Sequence, residues 1–529
     1  MKTYKEGNGD GTNGNSAPRS LQELAQRLPV QITLPGPVRH HGASVRTLPA
    51  ASGYNIVDFA ARGDGQTDST FAIQSAIDNC AEAGGGTVLV PAGSFRAGAL
   101  WLRSHITLQL EAGAKLHGLF DVDAFPPRIS DWEGPKAVQM HTGLINGEGL
   151  ENIAIVGRGT IDGGGRMWWN LSQLGKLEYE RPKLVRLINC RDVLIDGVTF
   201  TNSSMWTLNP VACDNVTISR VTIRNPEHSP NTDGINPDSC SNVHIADCHI
   251  DVGDDCIAIK AGTENDGRAV HKACENIVVS GCTMLHGHGG VVIGSEISGG
   301  VRNVAIGNCV FRGTDRGIRI KARRGRGAAV EDVRVDNIVM DDVLCPLVVN
   351  QFYECGVEDA RLVNDPAPHP VTSSTPAFRR LRFSNISARR AKYAAAYLLG
   401  LPEMFIDDVV FDNVSIFLDG NNTQAGRPAM SPLAPMLCRA GFRIRNARGV
   451  RLRAVDIREQ EGPAISFENA TDIILRDLSG GDGDRPAKVH LVDTTGVRGD
   501  DSVALVHKKV RAARARSVSR QRQRIFPVE

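Results

Sequence analysis

Aromatic residues are scarce in this 529-residue chain, at 5%, and nowhere does it carry a run of about 18 consecutive apolar residues. The second absence leaves no segment that reads as a membrane span, so no membrane partner is expected. The stretch Met1–Ser16 is rich in Gly and Asn and lacks the apolar core of a secretory leader. The expectation is a cytoplasmic protein with reduced thiols; a different true start would make it extracellular or periplasmic. An excess of either charge is also missing: the formal net charge is +1, and no nucleic-acid partner is expected. None of the twelve cysteines shows a Cys-x-x-Cys spacing, so neither a metal centre nor a cofactor is expected. Several of them, such as Cys248, Cys256, Cys282 and Cys309, sit inside strand-like runs, where a free thiol behaves as a small apolar residue. No feature specifies an oligomeric state.

Against these absences stand 55 glycines and an apolar content of 41%. Few aromatics with many glycines suit aliphatic strands joined by tight turns. The dominant feature is an internal repeat in which an Asn or Asp precedes two apolar pairs. It recurs at Asn152–Ile161, Asp192–Phe200, Asn215–Ile223, Asn242–Ile250, Asn276–Met284, Asn303–Phe311, Asp332–Met340, Asp408–Ile416 and Asp472–Leu478. Several consecutive starts lie 23 to 34 residues apart, a period that means stacked supersecondary units. Alternation over short β-branched runs says strand, and the lack of long intervening helices argues against βαβ crossovers. Each coil then pairs only with the coils above and below it, about 4.8 Å away. The expected fold is all-β, a right-handed parallel β-helix with an apolar lumen. Its open end needs a cover, and the helical pattern over Thr67–Ala83 (Ile73, Ala76, Ile77, Cys80) supplies one. Residues 1–50 read as a largely disordered tail, 51–500 as the solenoid and 501–529 as a basic tail. Asp121–Thr142, Gly165–Lys183, Phe352–Ala377 and Asp419–Met436 break the period and should be loops walling a cleft.

Four motifs fall on successive coils: Asn231-Thr232-Asp233, Gly253-Asp254-Asp255, Gly287-His288-Gly289 and Arg319-Ile320-Lys321. Side chains one coil apart stack, so three carboxylates, an imidazole and two cations can line one patch. Glycosidic hydrolysis needs a carboxylic acid for the leaving oxygen and a carboxylate for the water; a gap of roughly 6.5–9.5 Å between them gives inversion. Crowded carboxylates raise the pKa of at least one of their number. Arg319 and Lys321, two apart on a strand, point the same way and can pair with a uronic-acid carboxylate. The wider basic run Arg316, Arg319, Lys321, Arg323, Arg324 and Arg326 could likewise hold an anion. Taken singly, Asp-Asp and Asn-Thr-Asp-Gly are good turn chemistry, Gly-His-Gly a tight bend and Arg-x-Lys a solvated strand face. Adjacent Asp254 and Asp255 would point to opposite faces of a regular strand, so a bend at Gly253 is required.

In this order the motifs resemble the polygalacturonase family of glycoside hydrolases (family 28). Asp58–Ala81, Gly84–Gly98, Arg186–Lys321 and the run Ser295–Gly300 look like its bacterial, exo-acting branch, and the resemblance covers roughly 54–480. It implies cleavage of α-1,4-galacturonosidic bonds in polygalacturonate or oligogalacturonides with inversion, without cofactor or metal. Asp254 would be the general acid, with Asp233 and Asp255 holding and activating the water. His288 would assist the acid, Arg319 and Lys321 would bind the galacturonate carboxylate, and Asn231 would orient its neighbours. Tyr353 is the candidate for a late substrate-binding tyrosine, although its flanks match poorly. Glu296 and His286 could bind a substrate end. Trp168 and Trp169 could stack on sugar or simply pack; His141 and Arg166 carry weaker signals. Three alternatives stay open: a Ca²⁺-dependent pectate lyase, a rhamnogalacturonan-type hydrolase, and a noncatalytic carbohydrate-binding solenoid.

Overall fold

The computed structural model describes residues 53–130, 138–263, 272–357, 359–480 and 486–507. The expected tail at residues 1–50 lies outside them. The recurring Asn and Asp explain the architecture. Asn152, Asp192, Asn215, Asn242, Asn276, Asn303, Asp332, Asp408 and Asp472 all have φ between 51° and 57°. This left-handed conformation is one that Asn and Asp tolerate far better than branched residues. It turns the chain into the next strand at the same point of every coil. Their amides also join across coils: Asn276 Nδ2 donates to Asn242 Oδ1 and Asn303 Nδ2 to Asn276 Oδ1, both at 3.1 Å.

Each coil contributes to three stacks of parallel strands, and the coil is right-handed, as parallel crossovers require. The first stack runs through Asp214–Ser219, Ser241–Ala246 and Cys274–Ser280. The second contains Thr222–Arg224, His249–Val252 and Thr283–His286. The third, which carries the site, runs through Val185–Ile188, Leu208–Val211, Asp255–Ile259, Gly289–Ile293, Arg316–Lys321 and Cys345–Asn350. Inward residues stack in register: Ile235, Ile257, Val291, Ile318 and Leu347 form one buried column. Farther along, Phe383 and Phe411 stack with ring centroids 5.0 Å apart.

Helix α1 (Thr70–Glu82) buries Ala72, Ile73, Ala76, Ile77 and Cys80 over the first coil. It begins three residues later than the expected Thr67 because Asp64–Asp68 is a strand paired with Gly93–Ala97. The other end is corrected too. Val503–His507 pairs with Ala487–Leu491, so the coil continues past the expected boundary at 500. The basic run from Lys508 lies outside the described residues.

All four inserts leave from corners that flank the third stack. Asp121–Thr142, Gly165–Lys183 and Asp419–Met436 enter it, whereas Phe352–Ala377 leaves it. The first two meet in one wall. Helix α2 (Gly165–Gln173) buries Trp168, whose ring lies 4.9 Å from His141 and 5.6 Å from Phe125. His141 N–H donates to Glu180 O at 3.0 Å. Among the described residues, no helix is long and apolar enough to cross a membrane.

Candidate active site

The corner between the second and third stacks gathers the acids. After His249–Val252 the chain bends at Gly253-Asp254 and enters the third stack at Asp255. A Cβ on Gly253 would come within 2.4 Å of Ser229 O, so only glycine takes this corner. The bend turns Asp254 and Asp255 towards a common space. One coil earlier, Asp233 sits above Asp255, because Gly234 N–H donates to Asp255 O and Ile235 pairs with Ile257.

Oxygens of Asp233, Asp254 and Asp255 lie within 4.8 Å of one another. That is tighter than the separation of roughly 6.5–9.5 Å expected from the sequence. The reason is the coil repeat itself, which sets neighbouring rungs about 4.8 Å apart. Asp255 is fully enclosed and accepts from Lys321 Nζ at 2.7 Å and Arg319 Nη1 at 3.4 Å. Asp254 faces His288 Nδ1 at 3.2 Å, accepts from the Asp255 N–H at 2.9 Å and has Asn231 Nδ2 at 3.5 Å. Asn236 Nδ2 donates to Asp233 at 2.8 Å.

Charge states differ sharply within this space. Burial, reinforced by the Asp254 charge, pushes the Asp233 carboxyl well above its ordinary 3.8, with Lys260 opposing. Burial acts the same way on Asp254, but the hydrogen bond and charge of His288 win and bring it down to about 2. The same bond raises His288 above 6.5. Burial and the Arg319 charge lower Lys321. Sequence reasoning required one raised carboxyl in the cluster; at rest it is Asp233, while the proton nearest Asp254 resides on His288.

Tyr353 is buried beneath the cations, its ring 5.0 Å from Lys321 Nζ and 5.6 Å from the Arg319 guanidinium carbon. Glu296 is differently placed from a group waiting for a sugar. Its carboxylate accepts from Lys260 at 2.8 Å, Arg326 at 3.0 Å and Ser295 at 3.0 Å. His286 pairs with Asp251 at 2.8 Å on the second stack and does not join the cluster. Trp168, Trp169 and His141 are buried packing, and Arg166 is exposed on α2. The basic run is not one anion patch. Arg316 donates to Arg427 O and Pro428 O, and Arg324 binds Glu403 and three carbonyls, so both brace loops.

Lys260, Asn236, Trp206 and Arg181 were missed from the sequence. Lys260 was legible: Asp255–Lys260 and Arg316–Lys321 are equivalent strands, and counting register from Ile257 and Ile318 places Lys260 one position class with Lys321. Trp206 precedes Thr207, whose N–H donates to Asp233 O, and its ring lies 4.1 Å from Lys183 Nζ and 4.4 Å from Lys260 Nζ. Arg181 lies in an insert, where no repeat predicts position.

A right-handed parallel β-helix bearing clustered carboxylates and cations on one outer face is the arrangement of an enzyme that works on acidic polysaccharide. The chain belongs to glycosyl hydrolases family 28, which residues 80–429 match. It is 36% identical to a probable polygalacturonase of Vitis vinifera, over 69% of this chain and 74% of that one. It is 32% identical to an endo-polygalacturonase of Pectobacterium carotovorum subsp. carotovorum, over 54% and 72% of the two chains. Among solved structures, an exopolygalacturonase from Thermotoga maritima superposes with a TM-score of 0.62 at 29% identity, covering 70% of this chain and 88% of that one. The relatives thus include both endo- and exo-acting enzymes.

Proposed function

We propose that the protein hydrolyses α-1,4-galacturonosidic bonds of polygalacturonate or its oligomers, with inversion and from a chain end. One observation carries the reading: Arg319 and Lys321 share the single carboxylate of Asp255, and Arg319 Nη2 is buried without a hydrogen-bond partner. A uronate carboxylate at that position supplies the missing acceptor and balances the surplus charge. Asp254 protonates the leaving oxygen, drawing on the His288 proton as substrate displaces water. Asp233 and Asp255 take the attacking water. Two oxygens up to 4.8 Å apart can each accept from one water at about 2.8 Å. Retention uses two carboxyl groups, whereas a third carboxylate facing the same water suits direct displacement.

Action from an end is supported by the wall formed by the inserts 121–142 and 165–183 on the N-terminal side of the site. The likeness to the exo-acting branch, argued above from Ser295–Gly300, agrees with it. Twelve free thiols, ten of them buried, support the reducing compartment expected from the sequence. The test is digestion of defined galacturonate oligomers with and without chelator. The expected result is saturated monomer or dimer alone, unaffected by chelator. An unsaturated, ultraviolet-absorbing product lost with chelator would establish the lyase reading instead, and a mixed ladder would establish endo action.

A further inference from the structure

The insert 165–183 does more than wall the groove. Its last turn sends Arg181 beneath the site, where the side chain is buried and forks between three oxygens. Nη1 donates to Ser204 O at 2.8 Å and Pro230 O at 2.7 Å, and Nη2 donates to Asn231 Oδ1 at 2.6 Å. A planar guanidinium anchored on two carbonyls has little freedom left, so its third bond has a fixed direction. That bond settles which end of the Asn231 amide faces which way. With Oδ1 accepting from Arg181, the NH₂ is left for Asp254 Oδ2, 3.5 Å away. The Asn231 backbone, at φ 57°, is in the left-handed region, so the residue is held at both its main chain and its side chain.

We propose that Arg181 is a positioning residue of the reaction, locking the Asn231 amide so that it presents a donor to the acid Asp254. Docking of the insert is thereby coupled to the competence of the acid. The inference rests on the hydrolase reading above. Arg181 touches neither the acid nor the sugar in this scheme, and its whole effect passes through Asn231. Flipping that amide would turn a carbonyl oxygen towards an ionised carboxylate, which repels it and moves the acid from the leaving oxygen. Small displacements of a catalytic group cost up to about 10²-fold in rate.

The experiment measures kcat and KM on trigalacturonate for wild type, Arg181→Ala, Asn231→Gly and the double variant, with thermal melts of each. Glycine suits the φ of Asn231, so that variant keeps the fold even if the arginine variant does not. We expect kcat to fall roughly tenfold to hundredfold in both single variants, with KM within about twofold. The double variant should be no worse than Asn231→Gly alone. Millimolar guanidinium should restore turnover to Arg181→Ala but not to the double variant, a response that a merely structural arginine would not give. Additive losses, a change confined to KM, or wild-type kcat in Asn231→Gly would overturn the proposal. If wild type itself fails to cleave trigalacturonate, the hydrolase reading falls first.

Discussion

At the residue scale, the account rests on which groups carry protons. Activity requires Asp233 ionised to accept from water and His288 charged to supply Asp254. Asp233 is raised, so activity should be lost as pH falls through a value above 3.8; His288 is raised, so it should be lost as pH climbs through a value above 6.5. A bell-shaped kcat/KM profile with both limbs displaced upward is therefore expected. Lys260→Met removes the cation that opposes the Asp233 shift, and should move the acidic limb further up. Arg319→Ala should weaken oligomer binding by about 1.5–3 kcal/mol, roughly 10- to 100-fold, the value of a hydrogen bond to a charged group. Titration calorimetry on galacturonate oligomers measures it. Proton NMR of the first products checks the stereochemistry, with the inverted anomer appearing first.

The four motifs were legible because a solenoid turns sequence spacing into spatial stacking. The charge distribution was not, because it depends on burial and on partners such as Lys260 and His288 that only the folded coil brings near.

At the element scale, strand type and the corners could be read directly. Nine Asn and Asp residues at repeat starts all proved to sit in the left-handed region. Asn303→Val should therefore destabilise by about 1–2 kcal/mol, and Asn303→Gly by less, as read from urea midpoints. In the lumen, Phe411→Ala deletes a ring stacked on Phe383 and should cost about 3–5 kcal/mol. Gly289 shows how an element protects the site. A Cβ there would meet Val292 Cγ2 at 2.4 Å and Asp255 Oδ1 at 3.1 Å, so Gly289→Ala should cut kcat while leaving the fold melt nearly unchanged. The helix start was misplaced by three residues for a physical reason. Asp64–Asp68 gains strand pairing with the second coil, which outweighs the local capping signal of Thr67 and Asp68.

For the molecule as a whole, the repeat predicted a cleft but not where its walls stand, since inserts follow no period. The hairpin of Pro127–Ser130 with Val138–His141 and the α2 segment close ranks through His141, Trp168 and Glu180. Shortening that hairpin should convert end-trimming into a mixed ladder of oligomers if the wall is what confines the substrate; chromatography of the products reads this directly.

The central claim is that stacked coils place a proton donor, a water-activating pair and two uronate-binding cations around one bond. Asp254→Asn tests it most directly, comparing turnover with trigalacturonate affinity in the same preparation. The account predicts a loss in kcat of about 10²–10⁴-fold with Kd within a few-fold of wild type. Undiminished turnover, or affinity lost in step with rate, would contradict it.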